Sequence, residues 1–212
     1  MEVSIQQTLP GYEGKDVVIS LDSTGIKVTN RGEWMREKWR VQRGWIKVHI
    51  SVDDQGEQVV GLAITDEEVH DTEKFDDLVD QSVNHVTDVD GRVVQANADG
   101  AYDSNDNFKK LDEHDIRPGI KIRKPPPNVQ SKNPRKKYAR EFHRLGYKRW
   151  RRKHRYGKRW YAEGVFSAVK RKCGEYVHAT KTDNMFHEVE MKFVFYSALL
   201  KYDATHELPW IT

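Results

Sequence analysis

The order of the apolar segments constrains the fold of this chain more than any other feature of its sequence. Three strand-like segments come first, at residues 15–29, 45–52 and 59–65, and polar loops join them. The second segment alternates apolar with polar residues, which is typical of a half-buried strand. Three such segments in succession predict an antiparallel meander.

The spacing of apolar residues then changes. Helical and extended patterns alternate in the order helix 71–82, strand 92–98, helix 104–114 and strand 116–123. Asp71 or Thr72 is a plausible N-cap of the first of these helices. A meander followed by helix, strand, helix and strand predicts an α/β fold with a ribonuclease H-like mixed sheet.

The C-terminal part of the chain predicts two more helices behind a basic insertion. Residues 124–155 contain three successive prolines and many Lys and Arg, and they predict an irregular insertion with some helix after Pro134. Helices are predicted at 160–173, ended by Gly174, and at 183–201. A length of 212 residues fits one folded domain, here over 15–212, behind an N-terminal extension over 1–14.

The net charge of +3 hides a strong asymmetry along the chain. Residues 53–115 contain 19 acidic residues and 4 Lys or Arg, a balance of −15. Residues 121–172 contain 20 Lys or Arg and 2 acidic residues, a balance of +18. So dense a basic segment indicates a surface for a polyanion, most commonly nucleic acid. A solvated or disordered loop is the alternative interpretation.

Two aspartates stand where strands are predicted. Asp22 interrupts an apolar strand segment, and Asp99 follows another strand just before Gly100. The first and fourth strands are neighbours in the predicted sheet, which brings the two carboxylates together. Their mutual repulsion favours a divalent cation between them, and carboxylate oxygens suit Mg²⁺ or Mn²⁺. A turn position for Asp22 and a helix-cap role for Asp99 are the alternatives.

A third carboxylate stands in the helix predicted at 160–173. If the helix begins early enough, Tyr156, Arg159, Glu163 and Lys170 lie on a stripe about 60° wide. A carboxylate between two cations suits a metal site flanked by phosphate contacts. The alternatives are a solvated face with i,i+4 salt bridges, and a helix that begins after residue 157 and leaves Tyr156 off the stripe.

These motifs together resemble the DDE transposases of bacterial and archaeal insertion sequences, in the branch with a Tyr-Arg-Glu-Lys signature. Tyr156, Arg159, Glu163 and Lys170 match the spacing of that signature without a gap. The first acid stands in LDSTGIK, the second in ADGAYDS, and the glutamate in YAEGVFSAVKRKCG. The resemblance extends from residue 18 to about residue 202.

The resemblance implies a catalytic domain that cuts DNA strands at transposon ends and joins them to target DNA. Asp22, Asp99 and Glu163 would be the catalytic residues and would hold two Mg²⁺ or Mn²⁺ ions. The implied DNA-binding residues are Lys27, Arg151, Arg152, Tyr156, Arg159, Lys170 and Arg171. A homodimer on DNA is also implied, and no small-molecule substrate.

The basic segment receives a role from the same resemblance. We expect residues 132–155 to follow the DNA backbone, with Tyr138, Tyr147 and Trp150 available for stacking on bases. His49 could lie near the site, although a lone histidine on a half-buried strand favours a structural role. Asp103 likewise favours a cap or turn role.

One departure from the family leaves a second interpretation open. Only 21 residues precede Asp22, where full-length relatives carry a DNA-binding region. The alternatives to an active transposase domain are a truncated remnant that binds DNA without transposing, and a nuclease without strand transfer. The sequence has no apolar run of membrane-spanning length, no secretory signal and a lone Cys173, so we expect a cytoplasmic, nucleoid-associated prokaryotic protein without a membrane partner.

Overall fold

The computed structural model of the chain describes residues 12, 14–28, 44–55, 57–123 and 133–206. The strands of this part are β1 (Asp16–Val28), β2 (Trp45–Asp53), β3 (Val59–Asp66), β4 (Arg92–Ala98), β5 (Arg117–Ile120) and β6 (Tyr176–Val177). Its α-helices are α1 (Phe75–Thr87), α2 (Asn105–Glu113), α3 (Pro134–Lys153), α4 (Trp160–Cys173) and α5 (Thr182–His206). Short 3₁₀ helices cover Asp71–Lys74, Gly100–Tyr102 and Tyr156–Arg159.

The strands form one mixed sheet in the order β3-β2-β1-β4-β5. β1, β2 and β3 pair antiparallel, whereas β4 joins β1 and β5 joins β4 in parallel. The short β6 pairs in parallel with the last two residues of β1. This topology confirms the ribonuclease H-like mixed sheet and the side-by-side placement of the first and fourth strands.

Helices cover both faces of the sheet, and the alternation of side chains along β1 decides which face each residue meets. Val17, Ile19 and Leu21 belong to a core that includes residues of α1 and α2. Ile26 belongs to a second core with residues of α4 and α5, such as Val165. Even-numbered residues of β1 therefore face α4, and odd-numbered residues face α1.

The basic segment is more regular than its sequence predicts. Residues 134–153 form a 20-residue helix, capped by the Asn133 side chain and opened by Pro134. The helix is interrupted at Gly146, where φ is +69° and ψ is 158°. The helix predicted after Pro134 is confirmed. It is longer and more regular than expected, because aromatic residues spaced among the Arg and Lys give α3 a packing side. The rest of the predicted insertion, residues 124–132, lies outside the described residues.

Other predicted boundaries need smaller corrections. The helix predicted from residue 71 begins as a 3₁₀ turn, with His70 rather than Asp71 or Thr72 at its N-cap. The predicted loop over 31–40 lies outside the described residues, as does most of the extension over 1–14. Tyr12, within that extension, is buried in the core. No helix in the described ranges combines the length and apolarity that a bilayer crossing requires.

Candidate active site

The parallel pairing of β1 and β4 brings two aspartates to one edge of the sheet. Leu21 pairs with Ala98 in the ladder, and Asp22 and Asp99 are the next residues of their chains. Asp22 continues β1, while Asp99 leaves β4 and caps the 3₁₀ helix that follows. The two acids thus lie at the C-terminal end of β4, where sheets of this kind place ligands.

The pleat turns Asp22 toward α4. Ser20 and Thr24, whose side chains lie on the same face of β1, both form hydrogen bonds with residues on the α4 side of the sheet. Ser20 Oγ donates to the carbonyl oxygen of Lys158 at 3.5 Å, and Lys170 Nζ donates to Thr24 Oγ1 at 2.9 Å. Asp22 lies between these two contacts, so its carboxylate meets the beginning of α4.

One guanidinium joins the first and third acids of the predicted triad. Arg159 Nη1 donates to Asp22 Oδ2 at 3.0 Å, and Arg159 Nη2 donates to Glu163 Oε1 at 2.6 Å. Arg159 is the last residue of the 3₁₀ turn, and Glu163 lies in the first turn of α4. The structure therefore brings Asp22, Arg159 and Glu163 into direct contact.

Burial dominates the electrostatics of Asp22. Desolvation raises the pKa of its carboxyl above the usual range, and the negative charges of Asp99 and Glu163 raise it further. The Arg159 charge and the Ser23 N–H, which donates to Asp22 Oδ1 at 3.0 Å, oppose that rise without cancelling it. Asp22 is therefore a carboxylate that additional positive charge would stabilise.

Asp99 has its own local contacts. Its Oδ1 accepts a hydrogen bond from the Ala101 N–H at 2.6 Å, and its Oδ2 lies 4.0 Å from Arg123 Nη2. The predicted alternative of a cap role is thus also true of Asp99. A cap contact that uses one oxygen leaves the second available for another ligand.

The three acids have suitable ligand atoms for a divalent cation, but their side chains are not arranged around one common position. They supply oxygen donors, which Mg²⁺ and Mn²⁺ prefer, and the pKa of Asp22 is raised first by burial and then by the negative charges of the other two acids. Arg159 supplies that charge to Asp22 and Glu163. Within the described ranges, no three His, Cys, Asp or Glu side chains are grouped closely enough to hold a metal ion.

The remaining signature residues occupy different settings. Tyr156 and Arg159 precede α4, so only Glu163 and Lys170 lie on the helix, and the single four-residue stripe is not formed. Tyr156 is buried against Trp150 with ring centroids 5.0 Å apart, and burial raises the pKa of its hydroxyl to about 12. The Tyr156 side chain is therefore largely inaccessible to solvent.

The other predicted DNA-binding residues are exposed: Lys27, Arg151, Arg152 and Arg171. Arg151 and Arg152 line a concave surface at the end of α3, together with Lys148, Arg155 and Lys158. Lys27 lies near the far end of β1, with its Nζ 5.4 Å from the centre of the Trp45 ring. These four cations are therefore accessible at the surface for contact with a polyanion.

The aromatic residues of α3 divide into buried and exposed members. Trp150 is 1% exposed and packs against Phe142, His154 and Tyr156. The expectation that Trp150 stacks on DNA bases is therefore wrong. Tyr147 is 41% exposed, and Tyr138 is half-buried against Phe108, so Tyr147 is the more accessible of the two.

A second polar group lies beside the site, and sequence reasoning missed its central member, Asp71. Asp71 Oδ1 lies 2.7 Å from both Ser23 Oγ and Lys47 Nζ, on the α1 side of β1. His49 also lies there, fully buried, with Nε2 3.0 Å from Thr65 Oγ1. Burial and the Lys47 charge lower the pKa of His49 to about 4, which agrees with a structural role.

Two comparisons with known proteins bear on this site. The family model described as Transposase DDE domain matches residues 13–197. Among solved structures, similarity is found to a chain of the simian T-cell lymphotropic virus intasome in complex with PP2A regulatory subunit B56 gamma, determined by cryo-electron microscopy. That match has a TM-score of 0.38 and 14% identity, and it covers 94% of this chain and 53% of the other. The chain thus spans about half the length of that neighbour, and so weak a likeness adds nothing about the site.

Proposed function

The chain belongs to the transposase DDE-domain family, as its motifs predict, and we propose that it cleaves DNA at transposon ends and joins those ends to target DNA. Membership implies polynucleotidyl transfer in general. The proposal adds both the substrate and the strand-transfer step. It assigns the catalytic domain to residues 15–212 and the basic insertion to residues 124–155.

The observation that supports this proposal most is the arrangement around Arg159. Its two ion pairs join Asp22 of β1 to Glu163 of α4, and the ladder register sets Asp99 beside Asp22. Three acids from three separate elements thus converge on one sheet edge. Arg159 pairs with two of the acids and Asp99 caps a 3₁₀ helix through one oxygen, whereas a metal site would use all three acids together.

In the proposed site, Asp22, Asp99 and Glu163 hold divalent cations, which the DDE family generally uses. We propose two Mg²⁺ or Mn²⁺ ions. When bound, such ions activate a water or a 3′-hydroxyl and stabilise the leaving oxygen of a phosphodiester. Arg159 contributes a planar fork of N–H donors that matches phosphate as well as carboxylate.

DNA contacts are proposed for the exposed cations. Lys170 and Arg171 lie at the C-terminal part of α4, and Arg151 and Arg152 lie on the concave surface at the end of α3. Lys27, which is exposed near the end of β1, contributes a further cation. Tyr156 is buried against Trp150 and contributes by holding the turn that carries Arg159. A homodimer on paired DNA ends completes the proposal.

Metal-dependent nicking of a supercoiled plasmid tests the catalytic part. We expect nicking with Mg²⁺ or Mn²⁺, none with EDTA, and a loss of at least about 100-fold in Asp22→Asn, Asp99→Asn and Glu163→Gln. Incubation of a pre-cleaved transposon end with a target plasmid then separates a transposase from a nuclease. A nuclease would nick the plasmid and yield no joined product.

The alternative function is a remnant that binds DNA without transposing. The observation that favours it is that Arg159 forms an ion pair with both Asp22 and Glu163, so each of these acids has a cationic partner without a metal ion. DNA binding without any metal-dependent nicking by the wild-type chain would establish the remnant and exclude the active transposase.

A further inference from the structure

Asp71 lies against the strand that carries the first catalytic aspartate, on the face opposite α4. It is the first residue of the 3₁₀ turn that follows β3, and its side chain is 24% exposed. Its Oδ1 accepts a hydrogen bond from Ser23 Oγ at 2.7 Å and forms an ion pair with Lys47 Nζ at 2.7 Å. Burial alone would raise the pKa of Asp71, but the bonds from Lys47 and Ser23 outweigh it and lower that pKa.

A short chain of contacts leads from Asp71 to the catalytic carboxylate. Asp71 holds the hydroxyl of Ser23, and the backbone N–H of the same serine donates to Asp22 Oδ1 at 3.0 Å. Ser23 thus has one contact to Asp71 and one to Asp22, in a segment that also pairs with β2 through His49. Loss of the Asp71 contact would remove the restraint that this side of the strand receives beside Asp22.

Three successive residues of β1 are each held by a charged side chain from another element. Asp22 binds Arg159, Ser23 binds Asp71, and Thr24 binds Lys170. The first and third contacts come from the α4 side. The middle contact comes from the opposite side of the sheet. Contacts from both faces therefore hold β1 at the position of the Asp22 carboxylate.

We propose that Asp71 is a positioning residue, which fixes Asp22 through Ser23 for metal binding and strand cleavage. The inference rests on the proposed function of the site. Asp71 does not touch the reacting atoms, and its effect is transmitted by one hydroxyl and one backbone N–H. Hydrogen-bonding groups behind a metal ligand typically change metal affinity or activity about 10–100-fold when they are removed.

The simpler explanation is that Asp71 only anchors its own loop. Lys47 Nζ also donates to the Val69 carbonyl oxygen at 2.8 Å, so Lys47 ties the segment before Asp71 to β2. Under this explanation, Lys47→Met should be as damaging as any change at Asp71. Under our proposal, the contact with Ser23 matters more than the contact with Lys47.

The test compares variants of the full chain by two measurements. Mn²⁺ affinity is measured without DNA, by electron paramagnetic resonance of free Mn²⁺, and kcat and KM are measured for Mn²⁺-dependent nicking of a supercoiled plasmid. We expect Asp71→Ala, which removes the acceptor of the Ser23 hydroxyl, and Ser23→Ala each to weaken Mn²⁺ binding about 10-fold and to lower kcat about 10–100-fold, with KM changed less than about twofold. Lys47→Met and Asp77→Asn, a change of an exposed α1 carboxylate, should change kcat less than about threefold.

A double-mutant cycle decides whether Asp71 acts through Ser23. If it does, Asp71→Ala in a Ser23→Ala background adds little further loss. Additive losses, an Asp71→Ala variant with wild-type kcat and Mn²⁺ affinity, or a Lys47→Met variant as damaged as Asp71→Ala would each overturn the proposal. So would Mn²⁺ binding that Asp22→Asn leaves unchanged. Absence of nicking by the wild type would instead refute the proposed function, while the Mn²⁺ titrations would still decide the role of Asp71.

Discussion

Arg159 and Asp22 are 137 residues apart in the sequence, yet their guanidinium and carboxylate groups lie 3.0 Å apart. The contact ties the turn before α4 to the central strand of the sheet. Even so, the pKa of Asp22 is raised, because desolvation outweighs the attraction of Arg159. The ionised form of Asp22 is therefore retained at a cost to stability, which is consistent with the catalytic role proposed for it.

The cost of burying the ionised Asp22 predicts how Asp22→Asn changes the free energy of unfolding. A carboxyl group whose folded pKa is raised contributes most to stability below its unfolded pKa, and this contribution is lost as the pH rises through the folded pKa. At pH 7 we expect Asp22→Asn to increase the free energy of unfolding by about 0.5–1 kcal/mol, measured by urea denaturation. The gain should disappear at acidic pH, where the wild-type carboxyl is protonated in both states.

The control for this change is Asp77→Asn, which alters an exposed carboxylate of α1 and should leave the stability nearly unchanged. If Asp22→Asn lowers the stability at pH 7, the ion pair with Arg159 outweighs burial, and the argument from the pKa of Asp22 is wrong.

The buried hydroxyl of Tyr102, like the carboxylate of Asp22, is a polar group near the acids of the site whose presence should lower the stability of the fold. The side chain is fully buried, and its hydroxyl has no hydrogen-bond partner among the described residues. Burial and the charges of Asp71, Asp22 and Asp99 raise its pKa far above the usual range, so the phenol is neutral. We expect Tyr102→Phe to stabilise the chain by about 1–2 kcal/mol in thermal or urea unfolding, because it removes an unsatisfied buried donor.

Tyr138→Phe is the matched control, since Tyr138 is half-buried against Phe108 and its change should move the stability by less than about 0.5 kcal/mol. A destabilised Tyr102→Phe variant would mean that the hydroxyl does have a partner, such as a bound water molecule.

The fold and two of the acids could be predicted because they depend on strand order. Once β1 and β4 are neighbours in parallel, residues that follow paired positions must meet, and this brings Asp22 to Asp99. The pair between Arg159 and Glu163 is the i,i+4 salt bridge that the sequence offers as an alternative, and the late start of the helix leaves Tyr156 off the stripe, as the other alternative has it. The contact between Arg159 and Asp22 could not be predicted, because it depends on a 3₁₀ turn and on side-chain torsions that helical spacing does not specify.

The burial of Trp150 and the contact of Asp71 with Ser23 could not be predicted from composition or from local sequence patterns. The Arg and Lys residues of α3 obscured an aromatic packing side, so Trp150 was expected at the surface although it is buried. Asp71 stands just before an apolar helix, where an acid normally suggests a cap. Its partner, Ser23, lies 48 residues away in sequence, and no local pattern reports such a contact.

The buried ion pair between Asp103 and Arg135 should matter far more than an exposed pair. Arg135 Nε and Nη2 lie 2.6 and 2.8 Å from the two Asp103 oxygens, and the side chains are only 8% and 2% exposed. Arg135→Met leaves a buried carboxylate without its main cation, so we expect a loss of about 3–5 kcal/mol in urea unfolding. Lys74→Met, which breaks an exposed pair with Asp77, should cost less than about 1 kcal/mol. Equal losses would show that Asp103 is well solvated once Arg135 is gone.

Two glycines should respond in opposite directions to the same substitution. Gly146 has a φ of +69° and no atom within 4 Å of an added Cβ, so Gly146→Ala should cost about 1–3 kcal/mol through backbone strain alone. Gly164 lies within α4, where an added Cβ would meet Trp160 at an ordinary 3.8 Å. Gly164→Ala should therefore stabilise the chain by about 0.5–1 kcal/mol. A thermal unfolding series checks both, and a gain at Gly146 would indicate that α3 continues unbroken.

The concave basic surface at the end of α3 makes a prediction about salt. Each phosphate neutralised by a cation releases counterions, so the logarithm of the DNA association constant should fall with the logarithm of salt concentration by about 0.9 per contact. Replacing both Arg151 and Arg152 with alanine should therefore reduce the slope by about 2 and weaken binding of unrelated duplexes to a similar extent. Lys109→Ala, on α2 within the acidic part of the chain, should leave the slope unchanged. The slope reports the number of phosphate contacts and not the affinity itself. A general loss of folding would lower the fraction of protein able to bind DNA equally at every salt concentration, and it would therefore leave the slope unchanged.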